Sequence, residues 1–392
     1  MIPDGVVTWA EIDLDAIASN VQAVKTFVGP HTELIASVKA NAYGHGLGPV
    51  ARTAIDAGAG FLAVHRIQAA VALREAGITA PILLLGHTLP AGIDLMLAHN
   101  ITPTLVDWET ARLFSEKAES EIPVHIKVDT GMSRFGLEPE KILDFVRYVG
   151  ELPNLYIEGV FSHFATADMR DLAFARQQLN LFLGILDAIN DIGYEIPLPH
   201  ICNSAGIVNL PEAHLAAVRP GILIYGMTPS AYTIPSFPLY PALTLKSTVI
   251  HVRNLKPGSS ISYGRTFTTR VPMRAALVSL GYGDGYPRLA SNRGEVLIHG
   301  ERAPIRGRIC MDQFVVEVTH IDNVAVGDEV VALGRQVEAV ITPEEVAAWA
   351  DTINYEITTG LLPQVVRAYK ENGRYSAPSE GLEQWANYLR AV

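Results

Sequence analysis

The sequence predicts an α/β protein: a (β/α)8 barrel followed by a second, mainly β domain. Three observations carry the prediction. Eight short apolar runs alternate with helix-length segments over residues 1–235. The rhythm then breaks where Pro229, Pro235, Pro238 and Pro241 cluster. Beyond them, short alternating runs between Gly and Pro turns replace the strand–helix pattern. A chain of 392 residues is also too long for one ordinary core, which fits two domains, 1–235 and 236–392.

In chain order, Thr8 to Leu14 alternates, with Trp9, Ile12 and Leu14 apolar among Glu11 and Asp13. It reads as a strand that could pack on the second domain. Asp15 stands where a helix cap belongs, ahead of Ile17, Val21, Val24 and Phe27 at helical spacing. Strand candidates then fall at 33–38, 60–65, 81–86, 101–106, 122–128, 155–162, 197–202 and 215–219. Helical patterns such as 67–76 and 171–193 fill the intervals. A doubly wound open sheet is the alternative, but no Gly-x-Gly-x-x-Gly follows the first of these strands. In the second domain, 243–252, 275–280, 295–298, 314–318 and 329–333 read as strands. Thr342-Pro343-Glu344-Glu345 reads as a capping box opening a helix through Trp349, and a last helix is expected from about 354 to 370.

Composition excludes several classes. Forty-one acidic residues against 30 basic give a formal charge of −11, which argues against nucleic acid or an anionic membrane as partner. Two cysteines, Cys202 and Cys310, are too few for a disulfide framework or a metal cluster, so no metal is expected. The amino-terminal residues Asp4, Glu11, Asp13 and Asp15 precede the first Lys, unlike a signal peptide. No apolar run approaches the roughly 20 residues that span a bilayer. A soluble, cytoplasmic protein acting on a small molecule is expected.

The chemistry-bearing residues fall at strand ends. In Ile35-Ala36-Ser37-Val38-Lys39 an apolar run stops at Lys39, and Asn41, Gly44 and Gly46 supply the turn. Desolvation at such an end favours a neutral amine, which can attack an aldehyde to form an imine. Taken alone, a lysine at a strand end more often just snorkels. Lys127, Asp129, His163, Asn203, Ser204 and Arg219 also fall at or just past strand ends, which in a barrel converge on the catalytic face. Gly131 and Gly136 would let Arg134 project from a loop, where its planar fork can grip a carboxylate or a cofactor oxygen. Arg219-Pro220-Gly221-Ile222 offers backbone donors after the last barrel strand, the usual phosphate cradle of such barrels. In the second domain Tyr263 lies in a turn, and a packing tyrosine is its bland reading. The glycine-rich 281–286 lacks the Lys-Ser/Thr of a nucleotide loop.

The string Val38-Lys39-Ala40-Asn41-Ala42-Tyr43-Gly44-His45-Gly46 resembles the pyridoxal-phosphate attachment segment of the alanine racemases. The opening Trp9-Ala10-Glu11-Ile12-Asp13-Leu14-Asp15 is similar to the start of that family, and the later clusters follow in the family's order. The resemblance implies pyridoxal 5'-phosphate carried on Lys39. It implies Tyr43, Ser204, Gly221, Ile222 and Tyr355 around the phosphate, with His163 and Asn203 also at the cofactor, and Arg219 facing the pyridine nitrogen. Arg134 would place cofactor and substrate, and Met311 would lie beside the substrate carboxylate. Lys39 and Tyr263 would be the two bases, with Tyr263 and Met311 reaching the barrel of a partner in a homodimer that supplies D-alanine for peptidoglycan. Several members carry a carbamate on the lysine matching Lys127. A tyrosine of ordinary pKa ~10 that acts as a base near neutrality needs ~4 kcal/mol of differential stabilisation, which His163 and Arg219 would supply as a positive or hydrogen-bonded relay. Related decarboxylases place a catalytic cysteine in Cys-x-Ser-x-Asp, whereas Cys310 here precedes Met311-Asp312. A non-catalytic carrier of the cofactor is usually a single barrel. Serine or broad-specificity racemisation stays open, since pocket volume is not written in the motifs.

Overall fold

The structure, a computed structural model, describes residues 5–375. Its residues group into two units. One holds 16–42 and 47–240, and the other holds 5–15, 43–46 and 241–375. The division falls at Tyr240/Pro241, inside the proline cluster.

Counting β1 as Thr8–Asp13, the first unit contains β2 (Glu33–Ser37), β3 (Phe61–Val64), β4 (Ile82–Leu84), β5 (Thr104–Leu105), β6 (Ile122–Lys127), β7 (Leu155–Phe161), β8 (Leu198–His200) and β9 (Ala217–Val218). These eight pair in parallel in the order β4-β3-β2-β9-β8-β7-β6-β5. A parallel bridge between Leu83 and Thr102 brings β4 to the threshold of β5, so the barrel is nearly closed. The expected fold is borne out. All eight strand candidates contain a strand, shorter than the apolar run because the run's ends bend into the loops. Leu34, Ile35 and Ala36 are wholly buried, as are Leu62, Ala63 and Val64, which is why these strands read as continuous apolar runs.

The second unit is a ten-stranded sheet that includes β1, paired antiparallel to Leu243–Leu255 and parallel to Val366–Glu371. Thr342 caps the helix Pro343–Trp349 through the expected box. Two local expectations are corrected. Asp15 lies inside the first turn of the helix Leu14–Val28, and its carboxylate accepts the backbone N–H of Asn372 instead of capping. The helix expected over 354–370 stops at Thr359, and Val366–Glu371 is a strand beside β1. Gly360 and Pro363 interrupt the helix, and the Arg367 guanidinium donates to the carbonyls of Leu361, Leu362 and Val365, holding the corner between them. No helix among the described residues is long and apolar enough to cross a membrane.

Candidate active site

Lys39 follows β2 directly and opens a left-handed turn. Ala40, Asn41, Ala42 and Tyr43 all have φ between 51° and 54°. For non-glycine residues this costs about 1–2 kcal/mol each. The turn is held by Ala42 N–H donating to Val38 O at 2.9 Å and by Asn41 Oδ1 accepting from Leu47 N at 2.8 Å. Backbone strain of this kind clusters at active sites and ligand clamps.

Around Lys39 the barrel gathers cations. Burial first, then Arg134 and Arg219, lower the Lys39 ammonium below its ordinary range. Lys127, at the end of β6, is pushed down to about 8 by burial, then by Arg219 and Arg134, with Asp129 opposing. Its Nζ stands 4.9 Å from the Phe135 ring centroid and 5.7 Å from that of Phe161. It forms no ion pair with Asp129. That carboxylate instead collects the backbone N–H groups of Gly131, Ser133 and Arg134 at 2.8–3.1 Å, which shapes the loop that carries Arg134. Gly136 is required there, because a Cβ would lie 2.8 Å from Asp129 N.

Arg219, following β9, is 5% exposed and has only neutral acceptors: Ser162 O at 2.7 Å, Ile201 O at 3.1 Å, His163 Nδ1 at 3.1 Å and His200 Nδ1. Burial lowers it to about 10, so it stays protonated at neutral pH. Because a guanidinium only donates, His163 Nδ1 accepts and His163 Nε2 carries the hydrogen. Burial, then Arg219, Lys127, Arg134 and Lys39, hold His163 well below its ordinary range. Both its burial and its hydrogen bond to Arg219 disfavour the protonated imidazole. Ser204 is buried, and its Oγ accepts the Gly221 N–H at 2.8 Å, joining the two loops with Ile222 next in line. Asn203 caps the short helix Ser204–Asn209 through Gly206 N at 2.9 Å.

The second unit brings together the remaining expected residues in two pairs. Tyr43 and Tyr355 pack with ring centroids 6.0 Å apart. Tyr263 and Met311 share one surface, linked by Ser262 Oγ, which donates to Arg308 O at 2.6 Å and touches Cys310 Sγ at 3.3 Å. The glycine-rich turn 281–286 clamps that loop, with Gly283 N–H donating to Met311 O at 2.7 Å and Tyr282 N–H to Cys310 O at 3.1 Å. Tyr263 is 72% and Met311 54% exposed.

Two groups of residues escape a reading by motif. His65, one residue past β3, lies in the field of Lys39, and burial, then Lys39 and Arg66, lower its pKa. The strand-end criterion that selects Lys39 would have selected it, since the candidate strand 60–65 ends on it. His125, Glu158 and His200 lie inside the candidate strands 122–128, 155–162 and 197–202 and offer no such signal. Among the described residues, no group of three or more His, Cys, Asp and Glu could hold a metal.

Comparison with known proteins places the chain in a family. Residues 12–229 match the model of the alanine racemase N-terminal domain, and residues 242–369 that of the alanine racemase C-terminal domain. The chain belongs to the alanine racemase family. It is 44% identical over 366 residues to an alanine racemase of Halothermothrix orenii, covering 93% of this chain and 97% of that one. An alanine racemase of Clostridium tetani is 41% identical over 371 residues, covering 93% and 96%. Among solved structures, the Bacillus anthracis alanine racemase with bound L-Ala-P superposes with a TM-score of 0.91 at 38% identity, covering 97% of this chain and all of that one. The Clostridium difficile alanine racemase does so at 0.92 and 36%, with the same coverage. This member of the family is an isomerase that interconverts the enantiomers of alanine.

Proposed function

We propose that the protein racemises alanine on pyridoxal 5'-phosphate with two bases, Lys39 and Tyr263, in a homodimer. The observation that carries this reading is the cation cluster of Lys39, Lys127, Arg134 and Arg219 at the barrel strand ends, in which burial and the two guanidinium groups lower the affinity of both lysines for protons. The carboxylate in that field, Asp129, is occupied by backbone donors. Such a site favours an anionic guest, and an amine with a lowered pKa favours a guest with an aldehyde. The residues thus fit the cofactor: Lys39 would hold it covalently, Ser204, Gly221 and Ile222 would take phosphate oxygens with Tyr43 and Tyr355, and His163 and Asn203 would border it. When bound, the cofactor supplies a conjugated ring that accepts the electron pair left at the α-carbon.

The rest is done by the chain. Lys39 Nζ, biased towards its neutral form, takes or returns the α-proton on one face, and Tyr263 Oη serves the other. Arg219 would face the ring nitrogen. A guanidinium that stays protonated only donates, so it would leave that nitrogen unprotonated and temper the electron sink. Arg134 would orient the substrate carboxylate together with Met311. Tyr263 and Met311 are exposed, which supports their insertion into the barrel of a second copy. Lys127 is proposed to carry a carbamate: its lowered pKa supplies the neutral amine that carbon dioxide needs, and the resulting anion would hydrogen-bond Arg134. Membership of the family supports a cytoplasmic role in supplying D-alanine for peptidoglycan.

The L-Ala-P held by the Bacillus anthracis relative supports alanine over larger substrates. Incubation of the purified protein with L-alanine and with L-serine, followed by chiral chromatography, tests the substrate. Conversion of alanine well ahead of serine is expected, and equal conversion would replace the assignment with a broad-specificity racemase.

A further inference from the structure

A line of hydrogen bonds runs through the barrel interior away from Arg219. Arg219 Nη1 donates to His200 Nδ1, His200 Nε2 meets His125 Nδ1 at 2.9 Å, and His125 Nε2 meets Glu158 Oε2 at 3.0 Å. Its direction is fixed at both ends. A guanidinium can only donate and a carboxylate can only accept. His200 must therefore carry its hydrogen on Nε2, His125 must accept on Nδ1, and His125 must donate from Nε2 to Glu158. A second proton on either imidazole would set N–H against N–H, so both rings are neutral.

The fold is modified locally to build this line. Between β6 and β7 the pairing jumps from Val124–Ile157 to His125–Gly159, so Glu158 is the extra residue of a bulge. A bulge re-aims the side chain it carries. Gly159 leaves room for the imidazole, because a Cβ there would lie 2.4 Å from His125 Nδ1. Phe161 stacks on His200 with centroids 4.8 Å apart and planes within 9°, and carries the Arg219 guanidinium 5.2 Å from its own centroid. No other anion serves Arg219 among the described residues. Burial pushes the neighbouring Cys202 thiol up, so it stays uncharged, and its Sγ donates to Ala213 O.

We propose that Glu158, acting through His125 and His200, is the counter-charge and tether of Arg219, making these three positioning residues for racemisation. The inference rests on the reading that Arg219 faces the cofactor's ring nitrogen. The carboxylate polarises two imidazoles in series, and each bond strengthens the next in a low-dielectric interior. The guanidinium is thereby held in one plane by neutral acceptors, with the carboxylate two imidazoles away.

Solid-state NMR of protein labelled with 15N in histidine and arginine, with and without cofactor, tests the line directly. Protonated Nε2 and bare Nδ1 are expected for His125, His200 and His163. A hydrogen on Nδ1 of His125 or His200 would overturn the proposal. Glu158→Gln keeps shape and acceptor but removes the charge. It should lower kcat about 10-fold with KM nearly unchanged, in the range usual for groups that orient a catalytic side chain, and broaden the Arg219 Nη resonances, while Glu158→Asp recovers part of both. Native kcat and native Arg219 resonances in Glu158→Gln would also overturn it. Arg219→Lys separates the two readings: an unchanged spectrum of the bound cofactor there would remove Arg219 from the ring nitrogen, whatever the histidine tautomers.

Discussion

The strand ends of the barrel and the Tyr263–Met311 turns of the β unit present opposite physical situations. In the barrel, Lys127 and Arg219 are buried, Lys39 is half-buried, and all three are pressed together against their mutual repulsion. In the β unit, Tyr263 stands exposed on a turn where Ser262, Gly264 and Arg265 all have positive φ. One region concentrates positive charge away from solvent, and the other presents a tyrosine to solvent. The first needs an anionic guest to relieve it, and the second needs a surface to cover it. That contrast is the physical ground for proposing both a phosphorylated cofactor and a second copy of the chain.

The largest effect is expected where the barrel half is broken. Lys39→Ala should remove the visible absorbance of bound cofactor and lower racemisation by at least about 10^4-fold, as for the loss of an essential nucleophile. A mutant that keeps the absorbance band, and keeps it through borohydride treatment, would assign the attachment to another lysine. Breaking the other half should be milder. Tyr263→Phe is expected to keep the cofactor spectrum and lose about 10^2–10^4-fold in rate, the usual value of one general base. Residual α-proton exchange in deuterated water should then differ between D- and L-alanine, and equal exchange would remove Tyr263 from the role.

Mixing the two inactive proteins joins the halves. If Tyr263 serves a partner's barrel, random subunit exchange leaves half of the dimers hybrid with one intact site each, so about a quarter of native activity should return. No recovery after exchange has been demonstrated by mass would mean that each site is built from one chain.

The two regions also differ in how far they could be read from sequence. The barrel strands were legible because strands buried on both faces become continuous apolar runs, and Lys39 because one such run ends on it. The left-handed turn 40–43 was not, since nothing in Ala-Asn-Ala-Tyr favours φ near +50°. Glu158, His125 and His200 were hidden for another reason: their partners are distant in the chain, and a single sequence carries no pairing information. The strand Val366–Glu371 was misread as helix because pairing with β1, more than 350 residues away in sequence, overrides local preference. Tyr263 and Met311 entered only through the family resemblance, because an exposed side chain on a turn has no local signature of function.

A smaller effect is expected at Lys127, which lies inside the repulsive cluster. A carbamate forms on the neutral amine, and with the ammonium pushed down to about 8 that form is populated near physiological pH. Carbon NMR with labelled bicarbonate should show a carbamate resonance that grows as pH rises towards 8 and is absent from Lys127→Ala. A native spectrum without it at saturating bicarbonate removes the modification. Because the group steadies Arg134 rather than the reacting atoms, the loss in kcat should be about 10-fold or less.

The smallest expected effect is at Asp129, which shapes the Arg134 loop. Burial alone would raise its pKa, but the N–H groups of Gly131, Ser133, Arg134 and Met132 together hold it below the ordinary carboxylate value. A carboxylate with a depressed pKa contributes stability that is present above its unfolded pKa of about 3.9 and is lost as pH falls through the folded value. Asn at this position can still accept from Gly131 and Ser133 with one oxygen, but its amide turns a donor towards the Arg134 N–H. The side chain is half-exposed and the loop can rearrange, so Asp129→Asn should cost only about 1 kcal/mol at pH 7. Melting curves of protein and variant should differ at pH 7, draw together as pH falls below about 4 and converge only below the depressed folded-state pKa, where both loops are neutral. A gap that persists undiminished at low pH would mean that the carboxylate charge does not hold the loop, and the barrel half of the site would then owe the placement of Arg134 to its glycines alone.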